Sequence, residues 1–104
     1  MTNTTKANRA SERPDVLELD LINGQYDAGD GFEIVHQLLL EKINFLQLKN
    51  FSLEIRYGQK DEHTKLRIKE LEEAARQTMD YFKKFSEKED RFDIEAKIII
   101  SKNS

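Results

Sequence analysis

The chain of 104 residues contains no cysteine, which excludes a disulfide framework, a thiolate metal site and a thiol nucleophile. No apolar run approaches the roughly 18 residues of a membrane span, and residues 1–14 lack the apolar centre of a standard signal peptide. A cytoplasmic protein that stays off membranes is therefore expected. Spacings that announce chemistry are missing too: there is no GxxxxGK[ST] phosphate loop, and nothing suggests a Ser/His/Asp set. What is present is 38% hydrophobic and 36% charged residues, a balance closer to long, solvent-washed helices than to a thick globule. The length allows one domain. A domain this small buries a limited share of its surface, and joining a second copy is a common remedy.

Residues 1–14 are polar and without hydrophobic periodicity, so a flexible leader is expected there and a single domain over 15–104. The leader sets Lys6, Arg9 and Arg13 against Glu12, a net +2, which leaves −5 on the remainder of a chain whose formal charge is −3. An acidic body is a poor match to nucleic acid, whose affinity comes mainly from Lys and Arg neutralising phosphates.

After Pro14, residues Val16 to Ile22 alternate, with Leu17, Leu19 and Leu21 on one side and Glu18 and Asp20 on the other, as in a half-buried strand. Asn23-Gly24 reads as the turn that ends it. A helix follows, with Asp27 or Asp30 as N-cap, the latter with Glu33 in a capping-box arrangement, and Gly58 closing it after Tyr57. At about 100° per residue, this helix is apolar twice over. Phe32, Val35, Leu39, Ile43, Leu46, Leu53 and Tyr57 gather on one side, and Ile34, Leu38, Phe45, Leu48, Phe51 and Ile55 on the other.

The next helix, capped by Asp61, has one apolar face (Ile68, Leu71, Ala75, Thr78, Phe82, Phe85) and i,i+4 pairs Asp61/Lys65, Glu72/Arg76 and Asp80/Lys84 on the rest. A short connection makes the two helices an antiparallel hairpin. A midpoint near residue 59 or 60 sets Leu53 near Leu66, Asn50 near Ile68 and Ile43 near Ala75. Asn50 is then a lone amide in the seam, and Asn50→Leu is expected to raise stability while loosening register. Phe92, Ile94, Ala96, Ile98 and Ile100 alternate in a second strand, which can pair antiparallel with the first and bring Lys97 to Glu18 or Asp20. The expected class is α+β, order β-α-α-β: a long antiparallel helical hairpin with a small two-stranded antiparallel sheet.

The stretch Lys42-Ile43-Asn44-Phe45, Leu48-Lys49-Asn50-Phe51-Ser52, Glu54-Ile55-Arg56-Tyr57-Gly58, Asp61-Glu62 and Arg67-Ile68-Lys69-Glu70-Leu71 resembles a group of small bacterial proteins of unknown function. The resemblance covers most of residues 19–100 and implies no activity and no site. Thr-Pro-Glu-Glu stands in those proteins where this chain has Asp27-Ala28-Gly29-Asp30, which favours Asp27 as the cap.

Candidate chemical sites each have a plainer explanation. Asp27 to Glu33 superficially suggests a calcium loop, but with Gly31 at the sixth position the first, third and twelfth fall on Tyr26, Ala28 and Gln37. His36 and His63 lie near opposite ends of the hairpin, about 25 to 30 Å apart at 1.5 Å per residue, and Glu33/His36 makes at most half a metal site. Glu70, Glu72 and Glu73 read as a solvated face. Lys42, Lys49 and Arg56, at seven-residue spacing, are expected to lie beside the seam and pair with acids of the second helix. No catalytic residue, cofactor or metal is expected.

The second stripe of the first helix remains. Strands of seven to nine residues reach about 25 to 30 Å, short of the ~40 Å helix, so Phe45, Leu48, Phe51 and Ile55 are the expected interaction surface. The expected function is non-enzymatic: self-association, with a dimer favoured, and a helical surface for an unidentified protein partner. Two alternatives stay open. One is a nucleic-acid-associated regulator using the basic leader and the Lys42/Lys49/Arg56 flank, and the other is a small-ligand-binding protein.

Overall fold

The computed structural model describes residues 14–85 and 89–103. The leader expected over residues 1–14 thus lies, apart from Pro14, outside the described residues. The element order is β1 (Val16–Tyr26), α1 (Ala28–Tyr57), α2 (Glu62–Lys83) and β2 (Phe92–Ser101), an α+β arrangement. The chain divides into two compact units, one built on the strands and the other on the helices.

In the helical unit, Asp27 caps α1, its side chain accepting from the Asp30 N–H at 2.8 Å. Asp30 is a first-turn acid instead of the cap, placed where the helix end is positive. At the far end Gly58 adopts φ 76° and donates its N–H to the Glu54 carbonyl at 2.8 Å. That left-handed conformation is open to glycine at little cost. Asp61 then caps α2, accepting from the Thr64 N–H and hydroxyl.

The two helices pack through Ile43, Leu46 and Leu71, with Leu39 and Ile68 against them. At the open end Phe32 meets Phe82 edge-on at 6.3 Å. Leu66 is not in the seam: it is 60% exposed, and Thr64 is the buried residue of that turn. The helical period explains the exchange, since Thr64 shares the face of Ile68 and Leu71 whereas Leu66 points about 160° away.

In the strand unit β1 and β2 pair antiparallel, from Val16 opposite Ser101 to Tyr26 opposite Phe92. Asn23-Gly24 is not a turn. It continues the strand, opposite Glu95 and Ile94, because the partner strand runs on and supplies pairing that a local turn forgoes. A register shift between Asp20 and Ile22 leaves Leu21 in a bulge. The bulge changes the phase of β1, so Leu17 and Leu19 before it and Ile22, Gly24 and Tyr26 after it share one face. That face also carries Phe92, Ile94, Ala96, Ile98 and Ile100. Lys97 lies opposite Asp20.

A candidate interaction surface on the first helix

The seam uses one side of α1 only. On the opposite side Phe45 is 59% exposed, Leu48 60%, Phe51 57% and Ile55 67%, although each is large and apolar. The reason is geometric. With Ile43, Leu46 and Asn50 turned into the hairpin, Phe45, Leu48 and Ile55 project from the far side of a helix with a 3.6-residue period, and Phe51 flanks them. Lys42 Nζ sits 5.5 Å from the centre of the Phe45 ring, within the range of a cation–π contact. Among the described residues Lys42, Lys49 and Arg56 form no ion pair, contrary to the expected pairing with acids of α2. Glu62, Glu70, Glu73 and Asp80 find partners within α2 instead, although Lys49 acts electrostatically on the Asp61 carboxyl at the start of that helix.

Those pairs also differ from the i,i+4 set expected. Lys65 pairs with Glu62, Arg67 with Glu70, and Arg76 with both Glu73 and Asp80. Hydrogen bonding from Arg76, chiefly, lowers the Glu73 carboxyl below its ordinary value, and the same contact raises Arg76.

Asn50 is 3% exposed and is not a lone seam amide. Its Nδ2 donates to the Asp61 carbonyl at 3.2 Å and its Oδ1 accepts the Asp61 N–H at 3.0 Å. One side chain thus grips both backbone groups of the residue that caps α2, tying the end of α1 to the start of its neighbour. Asp61 in turn accepts from Thr64 Oγ1 at 2.6 Å. That bond is the main reason its carboxyl lies below the ordinary aspartate range. Asp61 is legible in the sequence as the cap; its Thr64 hydroxyl partner and the Asn50 to Asp61 link are not, because no local spacing specifies which backbone a buried amide will meet.

His36 stacks on Phe32 at 4.7 Å, and His63 is exposed. Among the described residues no group of three or more His, Cys, Asp or Glu is placed to hold a metal ion, and no helix is long and apolar enough to cross a membrane. Comparison with protein-family models, with curated proteins and with solved structures finds no match to this chain.

Proposed function

We propose that the protein acts by association and not by catalysis: it joins further copies of itself and offers the outer face of α1 to a protein partner. The observation that carries this reading is the exposed row Phe45, Leu48, Phe51 and Ile55 on the side of α1 away from the seam. Exposed apolar area is unfavourable at about 25 cal/mol per Å², and contiguous patches of this kind mark interaction sites. Lys42, Lys49 and Arg56 border the row, so the complementary partner is an apolar segment with acids at its margin.

Sedimentation across a concentration series, on the unaltered chain and on Leu48→Ser/Ile55→Ser, tests the reading. Dissociation of the variant with its helical circular dichroism retained supports self-association through this row. A chain that stays monomeric throughout removes self-association and leaves the row to a different protein. The basic margin also keeps the nucleic-acid reading in play, and the absence of retention on immobilised nucleic acid at low salt disposes of it.

A further inference from the structure

The strand unit carries a second unfinished surface, and its details specify what completes it. β1 and β2 form a two-stranded sheet, an arrangement marginal in water without further strands or a packed face. Its two edges differ. Along β1, Glu18 and Asp20 are followed by the Leu21 bulge. A bulge of this kind is one of the ways in which an edge resists pairing. The β2 strand has no bulge and carries Ile98-Ile99-Ile100, all exposed, just before its last residue.

We infer that the β2 edge pairs with the β2 edge of a second copy of this chain, antiparallel and centred on Ala96, to give a four-stranded sheet. This rests on the self-association proposed above. Charge selects that register. A two-fold at Ala96 sets Glu95 opposite the second copy's Lys97 and Lys97 opposite its Glu95, while Ile94 meets Ile98 and Phe92 meets Ile100, on the apolar face. Moving the centre one residue either way sets Glu95 against Glu95 or Lys97 against Lys97, and moving it two residues toward the C-terminus shortens the overlap and leaves both charges unmatched.

The direction of the backbone groups is compatible with it. The Lys102 N–H donates to the Asp15 carbonyl at 2.9 Å. Successive residues of a strand alternate in the edge they address, so the even-numbered residues of β2 turn their N–H and C=O toward β1. Asp93, Glu95, Lys97 and Ile99 turn theirs to the other edge, which pairs with no further strand among the described residues. With the two-fold at Ala96, Glu95 and Lys97 of opposing copies exchange both backbone hydrogen bonds and Ala96 meets Ala96 as a non-hydrogen-bonded pair; the backbone accepts this register and charge selects it. The apolar face then runs unbroken across four strands.

The absence of cysteine makes the test direct. In full-length Ala96→Cys the two sulfurs meet across a non-hydrogen-bonded pair, where Cα atoms lie about 4.5 Å apart, inside the range a disulfide accepts. Mild oxidation is expected to give a covalent dimer in high yield. Ile98→Cys is the control, because the same register leaves its two copies about 13 Å apart along the strands. Glu95→Lys and Lys97→Glu each oppose like charges at two places and are expected to weaken the dimer by about tenfold; an equimolar mixture of the two variants restores the charge match and is expected to recover dimer. A chain that sediments only as a monomer overturns both this pairing and the self-association on which it rests. An oligomer in which Ala96→Cys fails to cross-link, or in which the mixed charge variants associate no better than either alone, overturns the β2 register and leaves self-association through α1 standing.

Discussion

α1 and α2 share one seam yet treat water in opposite ways. The outer face of α2 is laced with pairs inside the helix, Lys65 with Glu62, Arg67 with Glu70, and Arg76 with Glu73 and Asp80. Among the described residues α1 has one comparable contact, Glu54 to Lys60 at 3.8 Å, and it reaches outside the helix. Where α2 presents ions, α1 presents Phe45, Leu48 and Ile55. Two helices of one hairpin under one set of physical rules therefore separate into a face finished for solvent and a face left apolar. The difference teaches that hydrophobic content alone does not mark a surface for association; what marks it is apolar content on the side away from the seam, with the polar device used next door left out.

The sharpest way to break this comparison lies on the inner side of α1. Asn50→Leu removes the two hydrogen bonds to Asp61 and leaves the N–H and C=O of the cap residue to find water beside an apolar side chain. Net loss of such bonds is worth about 1–3 kcal/mol, and leucine's better burial recovers only part of it. The variant is expected to melt below the unaltered chain, the reverse of what a lone seam amide predicts. Thermal denaturation followed by circular dichroism decides it, and a melting temperature equal to or above that of the parent returns Asn50 to the register-setting role.

That reversal shows where the sequence stops being informative. Element order and class were legible because periods of 3.6 and 2 repeat over many residues, and the single apolar face of α2 and the double face of α1 both survive in the structure. The cap at Asp61 was legible because its partner lies three residues away. The role of Asn50 is not legible because its partner is a backbone eleven residues distant. β1 runs past its expected end because the turn signal of Asn23-Gly24 is overridden by pairing with Glu95 and Ile94. A sign of the bulge was nonetheless present: apolar residues fall on odd positions through Leu21 and on even positions from Ile22 to Tyr26, a phase jump that an inserted residue explains. Of the candidate surface, the positions on α1 could be read directly, whereas the β2 edge required the register.

A smaller effect probes the cap that Asn50 holds. Thr64 hydrogen bonding keeps the Asp61 carboxyl below its ordinary value, so the folded state binds that proton less readily than the unfolded chain. The resulting contribution to stability is present above the unfolded aspartate value of about 3.9 and is lost as pH falls through the lower folded value. Thr64→Val, which deletes the hydroxyl donor and keeps the backbone one, is expected to move the Asp61 carboxyl back toward the ordinary range and to reduce the stability lost on acidification below about pH 4. Carboxyl-detected NMR titration reads the first change, and melting temperature against pH reads the second. An Asp61 titration unchanged by the substitution assigns the depression to the helix terminus and not to Thr64.

The smallest effect is expected on the outer face of α2, where the structure shows the most ion pairs. Arg76 bonds Glu73 and reaches Asp80 at 2.7 Å, but both acids and the guanidinium are about half exposed. Exposed pairs of this kind contribute roughly 0–1 kcal/mol, and salt at physiological strength screens charges beyond about 8 Å. Alanine also keeps the helix propensity of arginine or improves on it. Arg76→Ala should therefore leave the melting temperature within about two degrees of the parent, at both low and high salt, and leave the sedimentation behaviour untouched. A large loss at low salt that vanishes at high salt makes this row a structural network instead of a solvated face. A change in association makes α2 part of the interface, and the contrast between the two helices then fails.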